Sequence, residues 1–410
     1  MVFDCGMDLL KSEAKKTFLQ ERVRDYVASL GEHDKVHLLI LSHLHEDHTS
    51  GLDYLLSLCK VDTVIMPYIT PQERLFIALE KPDYDLEYYS FLTDPVRWLI
   101  ERNVKNIILL EGNDEIKEER DEHNSRNSED QQETPFSSPP DVIDDIKRGL
   151  QDSQELNELF LKLESKETGK KASRIAFKKA MNYFSIQSVW EMGLFVQSIS
   201  EQKLESFLNC IDLETNYGNS DIKITDLIDS KGARSKLKNC YKKIRADLNL
   251  TSLCMVHGPT RGLKVYEQNS ECNSNLIWCA PHLLYIEPTN CRAQLLTGDI
   301  SFLANDMYAQ LKKNLNSFCG DIGYVQVPHH GSQRNWYEDI LNFLPGAHTW
   351  LLPSGYGNRF EHPSAHVVAS IIESGRRAIR IDEYSRFSIE QVVFADKKAL
   401  TKQQKSEAKE

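Results

Sequence analysis

The chain has 410 residues, a formal net charge of −12, 40% hydrophobic and 27% charged residues, a composition ordinary for a globular protein with a large core. The acidic balance argues against a protein that coats nucleic acid by bulk electrostatics. No stretch approaches eighteen uninterrupted apolar residues and the N-terminus lacks a basic-then-apolar leader, so the sequence reads as cytoplasmic, with no membrane partner.

In chain order, Val2 to Gly6 reads as a short opening strand. Leu19, Val23, Tyr26, Val27 and Leu30 fall on one face of a helix over 12–30, with Gly31 placed to stop it. Val36 to Leu41 is a short aliphatic run, the mark of a buried strand, and it leads directly into Ser42-His43-Leu44-His45-Glu46-Asp47-His48. Three imidazoles and two carboxylates in so short a stretch are costly to bury unpaired, and a divalent cation removes that cost. In extended chain His43 and His45 point the same way. A helix starting near Thr49 lets Asp47 and His48 approach a second point about 3.5–4 Å away, the separation of a two-metal hydrolytic site. Leu52 to Leu58 then reads as a helix, Val61 to Met66 as a strand, Thr70-Pro71-Gln72-Glu73 as a capping box opening a helix, and Val104 to Leu110 as a strand. Alternating helices and apolar strands indicate an α/β fold in layers.

The character changes at Glu111. From there to Asp145 about thirteen acidic residues face three basic ones, with Ser138-Pro139-Pro140 and few large apolar side chains. Such a segment buries too little surface to offset its ordering entropy, so residues 112–140 read as an acidic disordered linker after an N-terminal half, 1–111. Residues 141–247 read as a helical insertion, with helices at Val142–Lys162, Ala172–Tyr183 and Val189–Cys210 and a basic, solvated run at Lys231–Lys243. Strand character returns over the C-terminal half, 248–396: Ser252–Val256, Leu283–Ile286, Arg292–Leu296, Gly323–Val327, Thr349–Leu352 and, last, Ala378–Ile381, with a helix from Ser364 to Gly375 before it. A charged tail occupies 397–410. Nine cysteines occur without CxxC-like spacing, and Cys5, Cys59, Cys254, Cys279 and Cys291 sit in apolar settings as reduced core residues.

Several of the returning strands end in a donor: Asp299 after Thr297-Gly298, His329 and His330 in Pro328-His329-His330-Gly331-Ser332, and His362 after Arg359-Phe360-Glu361. Singly each is an ordinary polar turn. Together with the histidine cluster they form a set that an α/β sandwich can gather at one edge, and Asp299 is the natural carboxylate to bridge two cations.

With Asp4 before it and Asp299 and His362 after it, the stretch 42–48 resembles the metallo-β-lactamase fold superfamily. Leu295-Leu296-Thr297-Gly298-Asp299, Val327 to Ser332, Gly357-Asn358-Arg359-Phe360-Glu361-His362-Pro363 and Arg380-Ile381-Asp382 resemble the soluble C-terminal domain of ComEC-type competence proteins. The likeness covers about 2–66 and 249–390. It implies a four-layer αβ/βα metallo-β-lactamase-like sandwich and two divalent cations, Zn2+ or Mn2+. His43 and His45 would hold one cation, Asp47, His48 and His362 the other, with Asp299 between them and Asp4 buttressing the site from behind. His329 and His330 resemble the pair that faces the scissile group, and Asp47 would orient the water. Superfamily members with a full zinc complement carry a further His just before the strand beginning at Ser252. Here Asn249-Leu250-Thr251 stands there, and His257 falls at the strand's far end.

The function implied is a metal-dependent phosphodiesterase or nuclease using a metal-bridging hydroxide, acting on nucleic acid or another phosphodiester. A stand-alone member with a large insertion would suit an effector of a multi-protein bacterial defence system. Two alternatives are a hydrolase of a small ester, thioester or lactone, and a catalytically weak metal-binding regulatory subunit docking a protein partner through 141–247.

Overall fold

The computed structural model describes residues 1–8, 12–31, 35–69, 73–74, 77–78, 86–111, 175–179, 183–186, 189–196, 209, 252–260, 263–274, 277–278, 292–303, 305–315, 318–356, 358 and 360–394. Strands β1 (Val2–Phe3), β2 (Lys35–Ile40), β3 (Lys60–Pro67), β4 (Asn106–Glu111) and β5 (Ile175–Lys179) make one sheet in that order. All its neighbours are parallel, and its strands are near-continuous apolar runs, as strands covered on both faces require. A second sheet has the order β10-β14-β13-β12-β11-β8-β7-β6. Its strands are β6 (Tyr183–Ile186), β7 (Trp190–Val196), β8 (Leu253–Pro259), β10 (Ile277–Trp278), β11 (Ala293–Leu296), β12 (Ile322–Gln326), β13 (Thr349–Pro353) and β14 (Arg377–Ile381). A two-stranded antiparallel ribbon pairs β9 (Lys264–Cys272) with β15 (Phe387–Phe394).

The strand directions decide where chemistry collects. β11, β12, β13 and β14 run parallel, so their C-terminal ends share one edge of the second sheet. β8 is antiparallel to β11 and therefore begins at that edge. Its Leu253 N–H donates to the Ser42 carbonyl at 2.6 Å, which joins this edge to the C-terminal end of β2 in the first sheet.

Period-two alternation sorts the side chains. Leu38, Ile40, Ile65, Ile108 and Leu110 of the first sheet form one apolar cluster with Met192, Leu194, Leu253 and Met255 of the second. Side chains from the opposite face of the first sheet, Leu39, Val64, Ile107 and Leu109, pack with α1 (Glu13–Ser29), α3 (Leu52–Leu58), α4 (Leu86–Thr93) and α5 (Pro95–Glu101). Val256, Leu295, Val325, Trp350 and Ala378 cluster with α6 (Asn305–Leu315), α7 (Asp339–Phe343) and α8 (Ala365–Glu373). Full burial of each such side chain is worth about 1.5–3 kcal/mol. α1 follows the sequence pattern: Ser12 caps it, accepting from the Lys15 N–H, and Val23, Leu19, Tyr26, Val27 and Leu30 all turn inward. Gly31 has φ of +64°, the left-handed stop expected of it.

Several expectations change. The helix after the histidines, α2 (Glu46–Thr49), begins at Glu46, three residues earlier than expected, with Glu46 and Asp47 in its first turn, where carboxylates favour the helix dipole. The segments expected as helices at Ala172–Tyr183 and Val189–Cys210 contain β5, the start of β6, and β7. The reason is packing: β5 completes the first sheet beside β4, while β7 is sandwiched between β6 and β8. Ala378–Ile381 lies in β14, but β15 comes after it. The acidic linker 112–140, the helix Val142–Lys162, the basic run Lys231–Lys243, the strand Leu283–Ile286, Cys279, Cys291, Thr70–Gln72 of the capping box and the tail 397–410 lie outside the described residues. Cys5, Cys59 and Cys254 are free thiols, the latter two buried.

Candidate metal centre

β2 ends at Ile40, the chain bends at Ser42 and α2 starts at Glu46. The rings of His43 and His45 come together in between, centroids 4.7 Å apart and edge to face. One helical turn brings His48 back to within 3.9 Å of the His43 ring. All three imidazoles are buried. The Tyr88 hydroxyl donates to the Leu44 carbonyl at 2.6 Å and steadies the loop from α4.

Asp4 supports this cluster from behind, in a left-handed conformation with φ of +56°. Its Oδ1 accepts from the Ser42 N–H at 2.6 Å and its Oδ2 from the Ser42 hydroxyl at 2.6 Å. His48 Nδ1 lies 2.8 Å from the same Oδ2. A carboxylate accepts only, so Nδ1 of His48 carries a proton and Nε2 is the nitrogen that faces the cluster. The Ser42 hydroxyl, having donated to Asp4, accepts from His43 Nδ1 at 2.9 Å, which fixes the same tautomer on His43. Nε2 of His43, Nε2 of His48 and Oδ1 of Asp299 are buried without a hydrogen-bond partner. Buried polar atoms left unpaired fit a bound cation, which would displace any proton on the imidazole and remove the desolvation cost.

Asp299 arrives from the end of β11. Gly298 before it has φ of +53°, and a Cβ there would lie 2.6 Å from the Ser42 Cβ, so only glycine lets the two strand ends meet. Asp299 Oδ2 lies 3.6 Å from His43 Nε2, and Oδ1 lies 3.4 Å from His48 Nε2. Among the described residues, three sets of donors have ligand atoms within 4.8 Å of one another: His43, Asp47 and His48; His43, His45 and Asp299; His48, Asp299 and His330.

His329 and His330 come after β12 in a tight turn with φ of +47° and +56°, and Gly331 continues it at +86°. Left-handed non-glycine residues cost about 1–3 kcal/mol each and persist where the surroundings impose them. Here the His329 N–H donates to the Gly298 carbonyl at 3.1 Å, and Gly331 is pressed against Pro363. His330 donates from Nδ1 to the Pro353 carbonyl at 2.7 Å. Its Nε2 then stands 3.3 Å from Asp47 Oδ2 and 3.8 Å from Asp299 Oδ1. His329 Nδ1 is 3.7 Å from Asp299 Oδ2.

His362 lies beside the cluster. Its ring is 6.1 Å from that of His329, and burial, then His329 and His330, push its pKa down to about 4 while Asp299 opposes this; among the described residues the three donor sets contain His330 and not His362. Asn358 grips the His362 backbone, accepting from its N–H at 2.9 Å and donating to its carbonyl at 2.7 Å. The ring meanwhile stacks on Phe360 at 5.8 Å. His257 sits at the other end of β8, buried opposite Met192 and Gln294, and is not part of the cluster. Burial pushes its pKa down to about 4. Asn249 lies outside the described residues.

In the metal-free protein the charges are strongly coupled. Burial drives the His43 pKa well below the usual imidazole value, and neighbouring His48 adds to this. Burial also opposes charge on His48, but Asp299, Asp4 and Asp47 outweigh it and hold His48 protonated. Burial opposes the Asp299 and Asp47 carboxylates too, yet the surrounding imidazoles keep both ionised. Sequence reasoning missed Ser42 and Tyr88. Ser42 stands beside the histidines and was legible as a strand-end hydroxyl, whereas nothing local marks Tyr88.

A mixed α/β fold with a buried, carboxylate-backed His/Asp cluster at its strand ends fits the binding of a divalent metal ion. Residues 1–143 match the family model of the metallo-beta-lactamase superfamily, whose members are mostly metal-dependent hydrolases; the match spans β1–β4 and every contiguous donor. No curated protein matches the chain. Among the described residues no helix is long and apolar enough to cross a membrane.

Proposed function

We propose that this protein is a metal-dependent phosphodiesterase built on a four-layer αβ/βα sandwich, with two divalent cations, Zn2+ or Mn2+, at the strand-end cluster. The observation that carries the reading is the position of Asp299, whose two carboxylate oxygens face His43 on one side and His48 on the other. His43 and His45 would hold one cation, and Asp47, His48 and His330 the other, with Asp299 shared. Bound there, the cations would lower the pKa of water towards 7 and neutralise charge on the attacked phosphoryl group. Asp4 and Ser42 fix the imidazole tautomers. Asp47 orients the attacking water. His329, partly exposed at the rim, donates a proton to the leaving oxygen.

The net charge of −12 favours a second reading, hydrolysis of a small ester, thioester or lactone, over action on long nucleic acid. The regulatory reading has less support, because β5, β6 and β7, all within 141–247, are built into the two sheets. The test is metal analysis of purified protein with hydrolysis of bis(p-nitrophenyl) phosphate, single-stranded DNA and RNA, and a lactone series across Mn2+, Zn2+ and Mg2+. Phosphodiester cleavage that disappears in His43→Ala supports the proposal; lactone cleavage alone replaces it.

A further inference from the structure

Beside the cluster, on the far side of His362, lies a groove of about 570 Å³ that the hydrolytic chemistry does not use. α8 makes its floor. Ala365, Val368, Ala369 and Ile372 recur at i, i+3, i+4 and i+7 and so share one helix face, and all four line the groove. The two alanines stop at Cβ, which leaves the space open. Trp278 of β10, partly buried, supplies an aromatic wall.

The rim is polar. Glu361 is exposed, and Arg380 is locked by donating to the Ser354 and Gly355 carbonyls at 3.2 and 2.7 Å. His362 belongs to both places: it lines the groove, and its ring lies next to His329, which borders Asp299. A group bonded to a phosphate at the cluster would reach the groove past that one imidazole.

We infer that the groove is a subsite for the nucleobase of the nucleotide flanking the scissile phosphate, taking its flat face against Trp278 and α8 and its amino edge at Glu361. A base combines an apolar π-face with a hydrogen-bonding edge, which matches an apolar floor under a polar rim. An acyl chain would match the floor and leave Glu361 desolvated without gain. The inference rests on the phosphodiesterase reading and specifies its substrate.

The experiment compares the p-nitrophenyl ester of adenosine 5′-monophosphate with methyl p-nitrophenyl phosphate in the metal-loaded protein, and measures binding of adenosine 5′-monophosphate by calorimetry. The expected result is a kcat/KM preference of at least about tenfold for the adenosine ester, carried by KM. Filling the groove with Ala369→Trp, at an exposed position, should remove most of that preference and weaken nucleotide binding about tenfold. Glu361→Gln should reduce it less. Equal use of both esters, or a preference untouched by both variants, overturns the subsite while the phosphodiesterase reading stands. If neither ester is cleaved, that reading falls and calorimetry decides the subsite: binding weakened by Ala369→Trp retains it, and no binding ends it.

Discussion

The donors of His43, His45, Asp47 and His48 come from one continuous stretch, whereas Asp299 and His330 come from two strand ends far along the chain. The first group is placed by local geometry: a short loop just after β2, then one helical turn, with Asp4 and Ser42 behind His43 and His48. The second group is placed by the fold. Asp299 needs β11 antiparallel to β8, and a glycine where β11 meets Ser42. His330 needs two left-handed histidines and the Pro353 carbonyl to aim its Nε2. Locally encoded donors persist as long as β2 and α2 do, while dispersed donors are lost whenever register is lost.

The sharpest way to break this contrast is at the residue both groups share. Asp299→Asn should cut turnover by at least about 10²–10³-fold, the scale for removing a key electrostatic group, and should lower occupancy by both cations; elemental analysis showing full occupancy would remove Asp299 from the bridging role. Next come the two C-terminal histidines. His330→Ala should lose about one metal equivalent, whereas His362→Ala should keep its metal and change KM. The opposite pattern, read from metal titration beside steady-state kinetics, would return His362 to the donor set. Asp4→Asn tests the support behind the local group: metal affinity should fall about 10–100-fold with an unchanged circular dichroism spectrum.

The smallest effect lies away from both groups. His348 stands at the start of β13, at the end opposite the donors, and burial, then Arg377, pushes its pKa down to about 4. The folded protein thus binds fewer protons there than the unfolded chain between pH 6.5 and 4. Its stabilising contribution is complete above 6.5 and is lost as pH falls through 4, at most on the order of 3 kcal/mol. His348→Gln should flatten the acid dependence of urea unfolding across that window; parallel curves for variant and wild type would count against it.

The same contrast explains what the sequence disclosed. His43 to His48 and the strand before them are legible because strand, ligands and turn are adjacent. The ends of β11 and β12 were legible as donors after apolar runs. That His330 aims its Nε2 at Asp47 and Asp299 was not, because it depends on the left-handed turn at His329 and His330. Trp190–Val196 reads as helix from sequence since a short apolar run carries no decisive period. Gly193 was the overlooked signal: glycine is poor in a helix interior, and in β7 it lies where a Cβ would meet the Tyr183 ring at 2.6 Å. β15 was missed although Phe387-Ser388-Ile389-Glu390 alternates.

β5 lies beyond the family-matched stretch 1–143 yet pairs with β4, and β6 then starts the edge of the other sheet within a few residues. The polypeptide is therefore laced between its halves, and the stretch 1–143 leaves its own sheet one strand short. Produced alone, that fragment would present the open edge of β4 and the apolar face of Ile40, Ile65 and Ile108, and should aggregate. Co-expressed with 144–410, it should be captured by β5 and reconstitute, giving a split protein whose metal centre assembles only when both pieces meet.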